Sequence, residues 1–513
     1  MTANKLTRRD FLKLLPLPLL LNAGHRLGGL NSFRHEQGSP VTNLPNILIL
    51  VFDTFSAKHI SLFGYPRNTT PNLSKFADQA TVFHRHYAGG NFTVPGTASL
   101  FTGVYPWSHR GLHLYGTVKS DYINRNMFAA FADDYFISTY THNALVMDLF
   151  DQFHRYLDQL IPMRDLAVRS EAITEKLFPN DYATSFWGER VVRGTGLDIP
   201  SSLFLSLSSI ARDFSSETPE DLEKIYHEQF PQGLPTHTIG FYFLLEDAID
   251  WINEQVSSIP QPFLGYYHLL PPHEPYRTRQ EFIGQFTDGW IPKKKPILRF
   301  SQGRTEGELN LKRRNYDEYI AYVDAEFGRL YDHLESSGIL ENTYVIVTSD
   351  HGQLFERGIH GHLTSTLYDP IINIPLMVSR PGKKKREDVF VPTSCVDLLP
   401  TLLHLTGKTI PDWCEGQLLP TFGETQHNPD RKIFAVEAKS NPKLGPLEKF
   451  TVAMISERYK LITYFGYSSR KETHELYDLF NDPDEMQDLS KTDQRLASEL
   501  REELAVKLSE INY

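Results

Sequence analysis

Two uninterrupted hydrophobic runs in the chain each end in an acidic residue. Asn46 to Phe52 ends at Asp53, and Tyr344 to Thr348 ends at Ser349-Asp350-His351-Gly352. Continuous apolar runs of this length are typical of strands buried on both faces of a parallel sheet. In such sheets ligands bind beyond the carboxyl ends of the strands. The pattern therefore predicts that both acidic residues lie at one edge of a sheet.

Between these runs the hydrophobic spacing changes to that of helices. Pro71 to Ala80 and Tyr316 to Gly338 have helical periodicity, and Gly338 is a plausible C-terminal cap before the second strand. Strands that alternate with helices indicate an α/β domain with a large, mostly parallel sheet between helices. We assign this domain to residues 45–425.

Two further segments differ in pattern from that domain. Residues about 150–240 have no strong strand signal, and the amphipathic stretch from Glu220 to Gln229 favours a helical insertion. Beyond residue 425, two strand-like runs flank Glu457-Arg458 and an amphipathic helix follows from Gln494 to Ile511. Residues 426–513 are therefore predicted to form a small α+β subdomain with an antiparallel sheet. The strand-like runs are Lys449 to Ser456 and Tyr459 to Phe465.

The N-terminal residues are predicted to lie outside the fold. Arg8 and Arg9 precede an apolar stretch from Leu14 to Leu21 that is too short to span a bilayer as a helix. This arrangement matches a twin-arginine export signal over residues 1–24, followed by a linker over residues 25–44. We expect a periplasmic or cell-surface protein. Cleavage of the signal and its retention as a membrane anchor both stay open.

Composition narrows the class of partner. The formal net charge of −11 over 513 residues argues against nucleic acid, whose binding needs a basic surface. Two cysteines, Cys395 and Cys414, could pair after export, but Cys395 lies in an apolar helix-like run. Two buried thiols are therefore favoured over a disulfide.

The segment from Phe92 to Gly103 carries the clearest chemical signal. Thr93 can cap a helix whose first turn contains Pro95, and a hydroxyl at a helix N-terminus lies where backbone N–H groups attract anions. Alone, this pattern predicts only a helix start. Together with Asp53 and the Asp350-His351 pair, it supplies an oxygen, oxygen and nitrogen set suited to a divalent metal.

These motifs together resemble the sulfatase family, within the alkaline phosphatase superfamily, over roughly residues 44–490. The segments NILILVFDT, TVPGTASLFTG and VIVTSDHG resemble the first strand, the nucleophile helix and the second metal-binding segment of that family. YDPIINIPLMV, SCVDLLPTLLHLTG, RYKLI and ELYDLFNDPDE resemble its later blocks, in the same order. The resemblance implies an alkaline-phosphatase-like α/β sandwich.

The resemblance also implies a role for each matching residue. Asp53, Asp350 and His351 would bind the metal, and Thr93 would be the nucleophile and a further ligand. The implied cofactor is one divalent ion (Mn, Zn, Mg or Ca), with a second ion if His273 and His362 converge.

Three histidines match family elements that act on the substrate, and His360 lies two residues before one of them. His273, in PPHEPY, resembles the His-x-Pro element, and His142 lies near the Lys-x-His element. His362, in HGH, lies where sulfatases often have a lysine, and His360 precedes it. The resemblance implies catalytic roles for His273 and His142, and substrate binding for His362 and His360.

The departures from the family pattern bear on the reaction. Classical sulfatases oxidise a Cys or Ser nucleophile to an aldehyde, which Thr93 cannot become because its Cβ carries a methyl group. Thr54 replaces the usual second Asp, Thr97 replaces the Arg, and His351 replaces an Asn of many sulfatases. A Thr nucleophile with Asp and His ligands resembles the phosphotransfer members of the superfamily.

We therefore expect a hydrolase or transferase of a phosphate ester in a small molecule, lipid or glycan, acting through Thr93. One alternative is hydrolysis of sulfate esters by unmodified Thr93. Another is a non-catalytic binding protein that retained the fold, although a binder has no need of Asp53, Asp350 and His351 together.

Overall fold

The computed structural model describes residues 44–169, 219–238, 241–297, 300–382, 385–423, 428, 430–467 and 472–511. The predicted export signal, nearly all of the predicted linker and most of the predicted insertion lie outside these residues. Within the described residues, no helix is both long and apolar enough to cross a membrane.

The strands of the described chain are numbered in order. They are β1 Asn46–Phe52, β2 Thr81–Tyr87, β3 Phe136–Thr141, β4 Gln159–Leu160, β5 Ala167–Arg169, β6 Thr236–Thr238, β7 Phe241–Phe243, β8 Phe263–Leu269, β9 Thr343–Thr348, β10 Leu354–Glu356, β11 Ile359–Gly361, β12 Asn373–Ser379, β13 Glu387–Val389, β14 Thr393–Ser394, β15 Ile433–Glu437, β16 Phe450–Ile455, β17 Tyr459–Phe465 and β18 Glu472–Asp478.

The α-helices are numbered in the same way. They are α1 Pro71–Ala77, α2 Thr93–Thr102, α3 Pro106–His109, α4 Met127–Phe131, α5 Ala144–Phe153, α6 Pro219–Tyr226, α7 Leu245–Ser258, α8 Glu306–Ser336, α9 Asp369–Ile372, α10 Leu398–Leu405 and α11 Gln494–Glu510. Short 3-10 turns cover Ala57–His59, Ser61–Phe63, Ser120–Ile123, His154–Tyr156, Met163–Leu166, Gln280–Phe282, Ile339–Asn342 and Cys395–Asp397.

A large mixed sheet forms the centre of the fold, in the order β13-β2-β12-β9-β1-β8-β3-β4, with β14 also paired to β2. Strands β9, β1, β8, β3 and β4 are parallel neighbours, and β12 runs antiparallel between β9 and β2. All seven residues of β1 are buried, as expected for a strand covered on both faces.

Helices cover both faces of this sheet. Two successive residues of β8 show that both faces are covered, because successive side chains of a strand point to opposite faces. Tyr267 joins a core cluster with residues of α1, α7 and α8, whereas Tyr266 packs edge-on against Phe101 of α2 and Phe150 of α5. The predicted α/β sandwich is confirmed.

Helix α8 begins ten residues before the predicted start. Thr305 caps it, since its hydroxyl accepts from the Glu308 N–H while the Glu308 carboxylate accepts from the Thr305 N–H. This capping box stabilises a first part too polar to show helical periodicity. Gly338 follows the helix in a left-handed conformation, with φ 75°, as a C-terminal glycine does.

The described ends of the 150–240 segment are not purely helical. Strands β5, β7 and β6 form a small sheet in that order, and α6 is the helix predicted there. Strands of three residues are too short to give a period in the sequence. The remainder of the predicted helical insertion lies outside the described residues.

Strands β15 to β18 form the small antiparallel sheet predicted for the C-terminal part. Lys460 of β17 is fully buried and bonds to Asp369 at 2.9 Å, at the start of α9. The carbonyl oxygen of Ile371 in α9 accepts from the Gly352 N–H at 2.6 Å. The C-terminal sheet is thereby connected to the loop that follows β9.

Candidate metal centre and nucleophile

The first acidic residues of the site are placed by the register of three parallel strands. Val51 of β1 pairs with Thr348 of β9 on one side and with His268 of β8 on the other. Asp53 and Asp350 therefore emerge at the same sheet edge, as the sequence predicts, and His268 lies beside them.

The structure brings three of the four predicted ligands together, and they are Asp53, Asp350 and His351. His351 contacts both carboxylates. Its Nε2 lies 3.5 Å from Asp53 Oδ1 and 3.5 Å from Asp350 Oδ2. Ligand atoms of these three residues all lie within 4.8 Å of one another. That separation is inside the roughly 5 Å that two oxygens on one ion allow at bonds of 2.0–2.6 Å.

Thr93 completes the set from helix α2. Its Oγ1 lies 3.5 Å from His351 Nε2 and 3.4 Å from Asn143 Nδ2. The structure corrects the prediction that Thr93 is the helix cap, because Phe92 occupies that position and Thr93 is the first helical residue. The contacts with His351 and Asn143 show that the hydroxyl faces the site.

Gly96 allows α2 to approach the end of β9. A Cβ on this residue would lie 2.2 Å from the carbonyl oxygen of Asp350, closer than nonbonded atoms approach. Only glycine fits at this contact, which lies one turn from Thr93. We therefore expect this close approach to set the distance between the hydroxyl of Thr93 and the ligands that follow β9.

Each carboxylate uses one oxygen within the protein and leaves the other without a partner. Asp53 Oδ2 accepts from Asn143 Nδ2 at 2.6 Å and contacts His268 Nε2 at 3.3 Å. Asp350 Oδ1 accepts from the N–H groups of His351 at 2.9 Å and Thr54 at 3.3 Å. Among the described residues, Asp53 Oδ1 and Asp350 Oδ2 have no hydrogen-bond partner.

These two oxygens and the free imidazole nitrogen fit a cation. His351 Nδ1–H donates to the Gly352 carbonyl at 3.0 Å, which leaves a lone pair on Nε2. Neighbouring ligands of a tetrahedral ion with bonds of about 2.1 Å are separated by about 3.4 Å, close to the 3.5 Å spacings around Nε2. Burying two unpaired carboxylate oxygens is costly unless a positive charge faces them.

Electrostatics of the pair support the same conclusion. Burial raises the pKa of Asp350, and the adjacent charge of Asp53 raises it further. Burial also acts to raise the pKa of Asp53, but the His268 hydrogen bond and the nearby imidazoles outweigh it, so that pKa falls below its usual range. The two carboxylates repel each other when both are ionised, and a divalent cation between them would offset that repulsion.

Two of the other predicted histidines flank the centre. The His362 ring centroid lies 4.5 Å from that of His351 and 5.1 Å from that of His273. His362 Nδ1 bonds to Gln353 Oε1 at 2.8 Å, and His273 Nδ1 donates to the Glu274 carbonyl at 2.6 Å. The Nε2 atom of each ring is thus left for a substrate or a proton.

His360 and His142 are placed differently. His360 Nε2 bonds to the Tyr276 hydroxyl at 3.1 Å, and that hydroxyl also accepts from Gln353 Nε2. His360 is therefore connected to His362 through Tyr276 and Gln353. His142 packs on Phe243, with ring centroids 4.1 Å apart, and neither ring nitrogen has a hydrogen-bond partner among the described residues. Burial lowers the His142 pKa to about 3. Its catalytic role has no geometric support, because Asn143, the next residue, makes the contacts with Asp53 and Thr93.

Sequence reasoning missed Asn143, His268 and Gln353. His268 offered a readable signal, since it lies near the carboxyl end of a buried strand, as Asp53 and Asp350 do. Asn143 and Gln353 offered no comparable signal, because each is one polar residue in a loop.

Comparison with known proteins gives consistent matches. The family model for sulfatases matches residues 45–147 and 223–408. The model for the C-terminal region of N-sulphoglucosamine sulphohydrolase matches residues 358–512.

Among curated relatives, the chain is 23% identical over 403 residues to an ulvan-active sulfatase of Formosa agariphila, covering 75% of this chain and 66% of that protein. It is 28% identical over 274 residues to arylsulfatase K of Canis lupus familiaris, covering 47% and 51%, respectively. It is 23% identical over 482 residues to a choline-sulfatase of Rhizobium meliloti, covering 88% and 83%. The match spans 66% of the length of the ulvan-active sulfatase and 51% of the length of arylsulfatase K.

Solved structures with the same fold include two phosphonate monoester hydrolases. That of Silicibacter pomeroyi superposes with a TM-score of 0.64 at 18% identity, covering 91% of this chain and 95% of the other. That of Agrobacterium radiobacter gives 0.62 at 19% identity, covering 91% and 96%.

Proposed function

Because the chain belongs to the sulfatase family of ester hydrolases, we propose that it cleaves or transfers a phosphorus ester through Thr93 with one bound divalent cation. The observation that carries this proposal is the convergence of Asp53 Oδ1, Asp350 Oδ2 and Thr93 Oγ1 on the free nitrogen of His351.

The cation would be held by Asp53, Asp350, His351 and Thr93. When bound, it would neutralise negative charge on the ester and favour the alkoxide form of the nucleophile. The imidazole nitrogen favours Zn²⁺, whereas the carboxylate oxygens also suit Mn²⁺, Mg²⁺ and Ca²⁺. The described residues contain one group of three such side chains within 4.8 Å, so we propose one ion and not a second at His273 and His362.

Thr93 is the nucleophile in this proposal. Its Oγ1 forms a bond to phosphorus as the bond from phosphorus to the leaving oxygen breaks, and the leaving oxygen gains a proton. Water or another acceptor then bonds to phosphorus and restores the Thr93 hydroxyl. His273 and His362 are the candidates to carry these protons, since each leaves one ring nitrogen free beside His351.

The N-terminus of α2 assists by holding the anion. Thr93 is the first residue of a ten-residue helix, whose free N–H groups and dipole attract the oxygens of a phosphate. Asn143 holds the hydroxyl and Asp53 in one arrangement through its side-chain amide.

Hydrolysis of sulfate esters by unmodified Thr93 is the second candidate. It is favoured by the curated relatives, which include an ulvan-active sulfatase and a choline-sulfatase. Phosphorus esters are preferred because a threonine cannot form the aldehyde used by classical sulfatases. The fold itself is compatible with either ester, since it is shared by phosphonate monoester hydrolases and by sulfatases. A glycan or lipid ester is the proposed class of natural substrate.

A panel of p-nitrophenyl esters tests both candidates. Purified protein with Mn²⁺ or Zn²⁺ is assayed on a phosphate monoester, a phosphate diester, a phosphonate monoester and a sulfate. We expect a phosphorus ester to give the highest kcat/KM, and Thr93→Ser to retain activity that Thr93→Ala lacks. A higher kcat/KM on the sulfate would establish the second candidate instead.

Export is proposed separately, from Arg8, Arg9 and the apolar stretch behind them. A location outside the cytoplasm would suit an enzyme for glycan or lipid esters, and it is tested below with variants of the arginine pair.

A further inference from the structure

Thr54, the residue after the first metal ligand, has a backbone conformation that threonine rarely adopts. Its φ is 60°, in the left-handed region, where a branched Cβ clashes with the following carbonyl. A strained residue of this kind persists only when its surroundings hold it. The Thr54 N–H also donates to Asp350 Oδ1, so its conformation affects both carboxylates of the centre.

The side chain of Tyr316 holds this turn from helix α8. Its hydroxyl donates to the Thr54 carbonyl at 2.5 Å and accepts from the Ser56 N–H at 3.1 Å. One oxygen therefore bonds to backbone groups on both sides of Phe55.

The Tyr316 ring is itself fixed, so the hydroxyl cannot follow the turn if it relaxes. The residue is fully buried, and its ring centroid lies 5.0 Å from that of His59, 5.1 Å from that of Phe355 and 5.5 Å from that of Tyr276. The hydroxyl acts as a rigid point to which the strained turn is attached.

We infer that Tyr316 is a positioning residue for the metal centre, whose hydroxyl keeps Thr54 in its strained conformation and thereby aims Asp53 and Asp350 at one ion. The inference rests on the proposed function. Tyr316 is not among the proposed ligands of the ion. Without its hydroxyl, Thr54 would relax toward negative φ, turning the Asp53 side chain and withdrawing the N–H from Asp350.

Metal affinity tests this inference, because a residue that only packs would not change it in the way expected here. Metal-free wild-type protein, Tyr316→Phe, Thr54→Gly and the double variant are titrated calorimetrically with Zn²⁺ and with Mn²⁺. Loss of a residue that orients a ligand lowers metal affinity by about 10- to 100-fold, which is the result expected for Tyr316→Phe. Glycine adopts positive φ without strain, so the same tyrosine change should cost far less affinity in the Thr54→Gly protein.

Tyr331→Phe is the matched control. Tyr331 lies on the same helix, is buried and has no hydrogen-bond partner for its hydroxyl among the described residues. We expect it to bind both ions as the wild type does.

The outcomes separate the two proposals. Wild-type protein that binds neither ion overturns the proposed function and this inference with it. If the wild type binds an ion and Tyr316→Phe binds it with the same affinity, the inference alone is overturned. It is also overturned if Tyr316→Phe lowers the affinity equally in the wild-type and in the Thr54→Gly protein. If Tyr316→Phe alone does not fold, the double variant is compared with Thr54→Gly: similar affinity for the ions supports the inference, and an affinity about 10- to 100-fold lower in the double variant overturns it.

Discussion

Gly96 offers the sharpest test of how the site is assembled. In Gly96→Ala, the new Cβ would lie 2.2 Å from the Asp350 carbonyl oxygen and 3.0 Å from its carbonyl carbon. Nonbonded heavy atoms pack at roughly 3.5 Å, so the N-terminal part of α2 and the end of β9 must separate by about 1 Å. That movement would carry Thr93 away from Asp350 and His351.

A displacement of about 1 Å among reacting groups costs about 100-fold in rate, and we expect a loss of this size in kcat/KM. Overpacking a buried contact also lowers the free energy of unfolding by about 1–3 kcal/mol. Gly307→Ala is the control, because Gly307 lies in the first turn of α8 with no atom within 4 Å of the added Cβ. It should keep full activity and gain up to about 1 kcal/mol of stability from helix propensity.

The assay measures kcat/KM on the best ester of the panel, together with thermal unfolding, for both variants and the wild type. Wild-type kcat/KM in Gly96→Ala, with reduced stability, would refute the reasoning. It would show that the close approach of α2 serves packing and that the distance from Thr93 to the ligands is set elsewhere.

Other substitutions test the remaining parts of the proposal. Thr93→Ala should lower kcat by several orders of magnitude with little change in melting temperature, since Thr93 caps no helix; equal losses of activity and stability would argue for a structural role. Asp350→Ala should abolish binding of Mn²⁺ and Zn²⁺ measured by calorimetry, and a chelator should lower the melting temperature of the wild type but not that of this variant. Replacing Arg8 and Arg9 by lysine should keep the protein in the cytoplasm on cell fractionation, and unchanged export would reject the twin-arginine signal.

The strands that carry the acidic ligands could be predicted from the sequence, because a short continuous apolar run fits few structures other than a buried strand. Asp53 and Asp350 follow such runs, and parallel pairing brings them to one edge. The same rule applies to His268, because it lies near the carboxyl end of β8 and pairs with Val51, two residues before Asp53. The boundaries of α8 were harder to predict, since its first ten residues are mostly polar and only the capping box marks the start.

The arrangement inside the site was less predictable. Whether Thr93 caps the helix or begins it depends on one residue of backbone geometry, which helix-start patterns do not resolve. The family element pointed to His142, but the turn after β3 places the side chain of Asn143 against Asp53. The φ of Thr54 could not be predicted, since threonine adopts this conformation only under the constraint of distant residues such as Tyr316.

The pairing of strand β1 also affects how the protein folds during translation. Ile47 pairs with Leu264 of β8 and with Tyr344 of β9, so this strand, apolar from Ile47 to Phe52, leaves the ribosome long before either neighbour is made. Until then its backbone and side chains lack their native partners, which makes the nascent chain prone to aggregation. Pairing between strands so far apart in the sequence is also slow, because a long loop must close, at a cost in entropy, before the contacts that stabilise it can form. We expect the newly made chain to depend on a chaperone until residue 348 has emerged, and a ribosome-bound chain stopped before β8 should be more sensitive to protease than one stopped after β9.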